Sequence, residues 1–359
     1  MNHPYLYYAI PTFFILIFLE AIYSHIKGLK LYNLRNSLSA LGCGMFAAGL
    51  EVFLKAALLS AYVWVYDNFA WTELPDDSWL TWIAALIMFD FIWYWAHRIS
   101  HEVNVIWGGH VPHHQSEEFN LSTGLRQGAL QDTMYWPLYI LMAPLGFSAE
   151  MFIAHVLINK FYGFWLHTQA IEKIPFIEGI LSTPSAHRVH HGMNSQYINK
   201  NYGGIFIVFD RLFGTYQEES EKVIYGVRKR YASYNPVWAH FDWLYGIWKD
   251  AKLANNTWDK IRIWFMPTGW RPQGLEEKYP RDRVSMESYA KFDALPRYYT
   301  SYWLLLVFAV LAAGSQALVV QSEALSWSGK LLLFGAITAG LYALGRLLNS
   351  SMQESNLPS

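Results

Sequence analysis

Long apolar segments separated by short polar loops are the feature that most restricts the fold of this chain. Two of them cover residues 5–21 and 38–66. Three more cover residues 80–95, 302–318 and 331–344. Segments of this length can cross a bilayer as helices, in which every backbone polar group is paired internally. The sequence therefore predicts an all-α membrane protein, a multi-pass transmembrane helix bundle.

The composition supports this prediction and excludes several other classes. Apolar residues make up 53% of the chain and charged residues only 15%, whereas an average soluble domain is about 25% charged. Aromatic residues reach 18%, which is typical of side chains at membrane interfaces. The formal charge of −1 provides no field that would attract nucleic acid. Cys43 is the single cysteine, so an internal disulfide is excluded.

Charge placement predicts the topology. The first apolar segment lacks a small-residue cleavage site, so we expect a retained helix rather than a signal peptide. Basic residues follow it in the stretch 27–35, which predicts a cytoplasmic loop, and the acidic stretch 67–77 is expected on the outer side. The shorter apolar segments 134–143 and 151–165 predict a hairpin that enters the bilayer from the cytoplasmic side.

The region from His167 to about Pro296 is polar and punctuated by Gly and Pro, which predicts a cytoplasmic helical cap. We expect five parts: N-terminal transmembrane helices in 1–78, a catalytic domain with a membrane hairpin in 79–220, a cytoplasmic extension in 221–298, a C-terminal transmembrane hairpin in 299–348, and a disordered tail in 349–359.

Histidines are the chemically informative residues, because they cluster. His97 and His101 stand four apart after an apolar segment, which places both imidazoles on one helical face. Two His-x-x-His-His triplets follow. Their members are His110, His113, His114, His187, His190 and His191. Such a set indicates a metal site, although any single pair would be weak support.

Eight or nine imidazoles exceed the ligands of one ion, so the count predicts a di-metal site. Imidazole binds iron, copper, zinc and nickel alike, and the residue type alone leaves the metal open. The zinc-peptidase pattern His-Glu-x-x-His, the Glu-x-x-His pattern of soluble di-iron bundles and a Gly-rich dinucleotide motif are all absent from the sequence. Electrons must therefore come from an external reductant or a redox partner.

Extended motifs around the histidines resemble a known family. The stretches 97–101, 110–114 and 187–191 resemble the histidine boxes of the fatty acid hydroxylase and sterol desaturase superfamily. The longer runs 113–127 and 183–192 are most similar to the alkylglycerol monooxygenase subgroup and its bacterial relatives. The resemblance extends from about Leu86 to Tyr216.

The resemblance implies a membrane di-iron oxygenase that hydroxylates a C–H bond of a lipid with O2, with glyceryl ether cleavage as one option. It implies that the eight clustered histidines ligate two iron ions and that His167 corresponds to an isolated ligand found in many members. Tetrahydrobiopterin or an electron-transfer protein is the implied reductant. The implied location is the cytoplasmic membrane of a bacterium or the endoplasmic reticulum of a eukaryote, with the active site facing the cytoplasm.

Polar residues near the boxes are candidates for supporting the ligands. Asp90 falls on the same helical stripe as His97 and could accept the second ring N–H of a ligand. Glu117, Asn120 and Asn194 are further candidates, and Asn120 could instead cap a helix beginning near Leu121. Thr183 and Pro184 predict a helix start just before the second triplet.

Three other functions stay open at this point. A lipid or sterol desaturase could use the same site. A membrane metal transporter or sensor would use the histidines as a binding station and would carry ionisable residues through several spans. A haem cytochrome would need only one histidine on each side of each haem. The sequence does not define the oligomeric state.

Overall fold

The computed structural model describes residues 4–281, 283–286, 289–292 and 301–353. Within these ranges the regular secondary structure is helical, and β pairing is confined to isolated bridges. The α-helices are α1 Pro4–Lys27, α2 Leu34–Phe69, α3 Trp79–Glu102, α4 Asn104–His114, α5 Leu121–Gly124, α6 Gln131–Tyr139, α7 Ala149–Trp165, α8 Pro184–His190, α9 Val208–Leu212, α10 Asp242–Leu253, α11 Thr257–Arg262, α12 Leu275–Lys278, α13 Ser301–Val320 and α14 Trp327–Gln353.

Four helices among the described residues are long and apolar enough to cross a membrane. They are α2, α3, the part of α13 from Tyr302 to Val320, and the part of α14 from Trp327 to Asn349. Large apolar side chains on these helices point outward, as Trp303 and Leu332 do with exposed fractions of 71% and 75%. Lipid, not water, is the solvent that tolerates this surface. The predicted all-α membrane fold is confirmed.

Helix α2 is the central element of the bundle. The side chain of Asn33 caps its N-terminus by accepting hydrogen bonds from the backbone N–H groups of Arg35 and Asn36. Glycines allow neighbouring elements to approach closely: a Cβ at Gly49 would lie 2.7 Å from the Phe334 ring of α14. Glu51 of α2 forms an ion pair with Lys55, one turn further along the helix, at 2.5 Å, and Lys160 of α7 also contacts this carboxylate.

The two shorter apolar segments pack beside α3 as α6 and α7. The turn between them uses Gly146 in a left-handed conformation (φ 93°). Its Pro144 carbonyl accepts a 2.9 Å hydrogen bond from the N–H of Trp71, in the loop between α2 and α3. The turn therefore lies at the end of the bundle where α3 begins, and the opposite end of α3 carries the first histidine pair.

Candidate metal centre

Four short segments bring the clustered histidines together. His97 and His101 lie in the last turns of α3, and the first triplet occupies the C-terminal half of α4. The second triplet lies on α8 and its C-cap, His191. Helix α8 begins as predicted, because the Thr183 side chain accepts a hydrogen bond from the N–H of Ala186 and Pro184 occupies the first turn. His167 follows α7 by two residues.

The nine histidines form two groups of converging ring nitrogens. The first group contains His97, His101, His110, His114 and His190, and the second contains His113, His167, His187 and His191. Within each group the offered nitrogens lie within 4.8 Å of one another. His114 and His191 belong to different groups and stack at a ring-centroid distance of 4.2 Å, so the two groups are adjacent.

Backbone carbonyls fix the orientation of four of these rings. His97 Nδ1 lies 2.8 Å from the carbonyl oxygen of Tyr202, and His190 Nδ1 lies 2.9 Å from that of Lys200. His113 and His167 make equivalent contacts of 2.8 Å with the carbonyls of Arg126 and Gly163. A carbonyl only accepts, so each Nδ1 carries the proton and each Nε2 is left as a bare lone pair.

A fifth ring, that of His110, is oriented by a side chain. Its Nδ1 lies 2.7 Å from Oε1 of Gln131, which is buried at the start of α6. Gln131 was not among the residues singled out from the sequence. It is separated from the histidine by twenty-one positions, and only the packing of α6 against α4 brings the two together.

The bare Nε2 atoms point at one another, and this is the observation that fits a bound cation. His97 Nε2 lies 3.0 Å from His110 Nε2, and His113 Nε2 lies 3.1 Å from His167 Nε2. Neither nitrogen of such a pair has a proton to donate, so without a cation the lone pairs would repel. Nε2 of His101 and of His191 are buried and have no hydrogen-bond partner in the described part of the chain. Metal ions would satisfy all of these atoms.

Burial keeps the imidazoles neutral. It lowers the pKa of His113 to about 4. Burial likewise lowers the pKa of six further histidines of the two groups well below the usual value, and neighbouring histidines add to the effect in each of them. They are His110, His114, His167, His187, His190 and His191. The neutral ring is the form that binds a metal ion.

The predicted support residues act on the backbone and not on the rings. The Asp90 carboxylate accepts hydrogen bonds of 2.8 and 2.7 Å from the N–H groups of Ile205 and Phe206. Asn194 exchanges hydrogen bonds with the backbone of Lys222 and Ile224. Asp90 thus holds the loop whose Tyr202 carbonyl contacts His97. The sequence pattern indicated a direct hydrogen bond from a histidine ring to Asp90, and the structure shows this indirect support instead.

Glu117 and Asn120 also lie apart from the rings. Glu117 forms an ion pair with Arg230, at 2.9 Å. Asn120 caps α5 in a capping box with Thr123 and donates to the carbonyl of Leu31, so the capping role is the one observed.

Asp210 is a buried carboxylate that sequence reasoning missed. It accepts hydrogen bonds from the N–H groups of Tyr202 and Gly203 and from the Thr215 hydroxyl. Burial raises its pKa to about 6. With Asp90, it holds both ends of the segment 202–206, which explains why a loop can position a histidine ring accurately.

A pocket of about 670 Å³ reaches the centre. Its walls include His101, His114, His190 and His191, so both groups of histidines are represented. Trp107, Trp243 and Phe265 give it apolar surface, and its rim carries basic side chains. They are Arg228, Lys229, Arg281 and Arg283. The pocket offers room for an apolar chain beside the centre and for a polar group further out.

Comparisons with known proteins agree with this geometry. The fatty acid hydroxylase family profile matches residues 82–215. Human alkylglycerol monooxygenase is 35% identical over 347 residues, covering 95% of this chain and 77% of the relative. The zebrafish (Danio rerio) alkylglycerol monooxygenase is 34% identical and covers 97% and 78%. The ornithine lipid hydroxylase OlsE of Rhizobium tropici is 30% identical over 37% of this chain and 41% of its own. No solved structure matches the chain.

The helical membrane fold and the paired histidine groups define a membrane protein of the fatty acid hydroxylase class. Within that class, the chain belongs to the alkylglycerol monooxygenase family, because the similarity runs through nearly its whole length.

Proposed function

We propose that this protein is an O2-dependent lipid monooxygenase that hydroxylates the carbon next to the ether oxygen of a glyceryl ether. The observation that carries the proposal is the pair of converging histidine groups at the base of a partly apolar pocket. Relatives named alkylglycerol monooxygenase that match over most of the chain support the choice of substrate.

We further propose that each histidine group holds one iron ion. His97, His101, His110, His114 and His190 would bind the first, and His113, His167, His187 and His191 the second. The irons would supply the oxidising power that an unreactive C–H bond requires. The chain supplies neutral ligands, the carbonyl-fixed ring orientations and a pocket that places the lipid beside them.

The reaction balances with an external reductant. One oxygen atom of O2 enters the C–H bond and the other leaves as water, which consumes two electrons and two protons. The resulting hydroxyl sits on a carbon that also carries the ether oxygen, so the product is a hemiacetal and collapses to an aldehyde and a free glycerol hydroxyl. Tetrahydrobiopterin or an electron-transfer protein would donate the electrons.

The orientation proposed from the sequence has structural support. The basic stretch 27–35 lies on the same side of the molecule as the histidines, since Asn36 contacts Ser116, two residues after His114. Positive residues mark the cytoplasmic side of membrane proteins. We therefore place the centre at the cytoplasmic face, in the inner membrane of a bacterium or the endoplasmic reticulum of a eukaryote.

Turnover under ¹⁸O2 tests the function. The purified protein, supplied with iron, a 1-O-alkylglycerol and tetrahydrobiopterin, should release a fatty aldehyde and glycerol, and trapping of the aldehyde before exchange with water should reveal ¹⁸O. His190→Ala should abolish release, whereas His25→Ala, which alters an exposed histidine of α1, should not. A product two hydrogens lighter with no added oxygen would indicate a desaturase. Absence of any O2-dependent product with glyceryl ethers, with either donor, would refute the proposal.

A further inference from the structure

Helix α10 is apolar on two opposite faces. One face packs against α4, with Trp243 and Ile247 buried. The other face exposes large aromatic side chains, each with an exposed fraction near 40%. They are Trp238 just before the helix, Phe241, Tyr245 and Trp248. A soluble surface rarely presents such a stripe, and one of this size marks an interaction site.

Exposed apolar side chains also occur on α11, which packs against α10, and on the residues after it. Trp258, Ile261 and Phe265 are exposed by 65%, 53% and 68%. Their spacing of three and four residues places them on one side of the chain. The surface formed by the exposed side chains of α10, α11 and Phe265 is called the aromatic surface below.

The aromatic surface is continuous with the membrane-spanning helices. The Phe241 ring lies 6.1 Å from the ring of Phe46 on α2, which lies 5.6 Å from Phe334 on α14. One turn before Phe334, Leu331 and Leu332 are exposed on the outer surface of α14. A bilayer that covers α14 there thus reaches the edge of the aromatic surface.

Basic side chains accompany the aromatic rings. Lys252 Nζ lies 3.7 Å from the centroid of the Trp248 ring, and Lys249 Nζ lies 4.7 Å from that of Tyr245. Trp and Tyr with adjacent Lys are the residues that lie at headgroup level, where the rings enter the acyl boundary and the amines reach phosphate groups. This combination favours a phospholipid surface over a second protein.

From these observations we propose that the aromatic surface lies in the headgroup region of the bilayer. Phe265 belongs both to this surface and to the wall of the pocket that reaches the histidines. The pocket therefore opens directly onto the membrane leaflet. The path of the substrate rests on the lipid monooxygenase function proposed above. The apolar chain of the lipid enters past Phe265, and its polar group stays at the basic rim of the pocket.

Spin-label depth measurements test the surface without requiring activity. Trp248→Cys, Ile261→Cys and Phe265→Cys are labelled on full-length protein in phosphatidylcholine–phosphatidylglycerol liposomes, with Lys222→Cys, an exposed polar position, as the control. Cys43 is fully buried, and labelled wild type measures any background. The three test labels should be accessible to O2 and shielded from a soluble nickel chelate, and the control should show the reverse. The proposal would be overturned if the nickel chelate reached the test labels. It would also be overturned if the labels were shielded from both reagents, as they would be under a protein partner.

Kinetics test the entrance. Phe265→Glu should raise the KM for an alkylglycerol presented in liposomes by roughly tenfold, because a charge at the membrane contact opposes entry of the lipid. Lys222→Glu should have no effect. Equal KM values for Phe265→Glu and wild type would refute the entrance. If wild type oxidises no lipid, the function fails, while the depth measurement still decides whether the surface lies in the bilayer.

Discussion

Removal of the Gln131 side-chain acceptor should weaken metal binding without unfolding the protein. Gln131 Oε1 accepts the Nδ1 proton of His110 at 2.7 Å, and both residues are buried. In Gln131→Leu the His110 Nδ1–H loses its partner, and the tautomer that presents Nε2 to the centre loses its preference. Loss of an outer partner of a ligand typically costs 10- to 100-fold in metal affinity. We expect about 1.4–2.8 kcal/mol weaker binding at the first histidine group.

The assay is a titration of metal-free protein with Fe(II) against a chelator of known affinity. Gln131→Glu keeps an acceptor and should bind at least as well as wild type. Gln127→Leu is the matched control, since the Gln127 side chain donates a hydrogen bond to the Gly124 carbonyl and to no histidine among the described residues. Thermal unfolding in detergent verifies that all variants are folded. Wild-type affinity in a folded Gln131→Leu variant would refute the idea that outer hydrogen bonds set the ring geometry.

Three further predictions concern stability. Gly128→Ala should destabilise the protein by about 1–3 kcal/mol, because the new Cβ would lie 1.8 Å from the Gly109 carbonyl oxygen. Gly163→Ala is the control and should be neutral in the same thermal assay, because nothing lies within 4 Å of a Cβ there. Asp90→Ala should cost about 1–3 kcal/mol for each of the two N–H groups it leaves unpaired, and an unchanged Tm would count against its role in the 202–206 loop. Chelation of the metal should lower the Tm, and excess Fe(II) should raise it with increasing concentration, because an ion that binds only the folded state stabilises it. A Tm independent of metal in protein that binds iron would contradict the assignment of the bare Nε2 atoms.

The sequence was most informative where side-chain chemistry and periodicity coincide. Four of the predicted apolar segments coincide with the candidate spans, although α3 runs on to Glu102 where its segment was predicted to end at residue 95. The spacing of the histidines predicted that they would converge. Thr183 and Pro184 likewise predicted the start of α8. These features depend on local patterns, which a sequence displays directly.

The remaining features depend on the path of the backbone. The carbonyls of Tyr202 and Lys200 orient two histidines, and any residue type has such a carbonyl, so no sequence signal marks them. Asp210 and Gln131 reach their partners through the folding of segments that are separate in sequence. Helix α10 lies in a region that the sequence predicted to be a polar cap. The charged residues of α10 make its average composition polar, although two of its faces are apolar. Its exposed aromatic stripe is apparent only once the buried face is known.

The most direct test of the central claim is the metal content of the detergent-purified protein, measured by elemental analysis beside His190→Ala and the exposed-site control His25→Ala. The two groups of histidines predict about two iron ions per chain in wild type and His25→Ala, and a clear loss in His190→Ala. A single zinc ion per chain, or no metal in protein shown to be folded, would contradict the di-iron centre and with it the proposed monooxygenase.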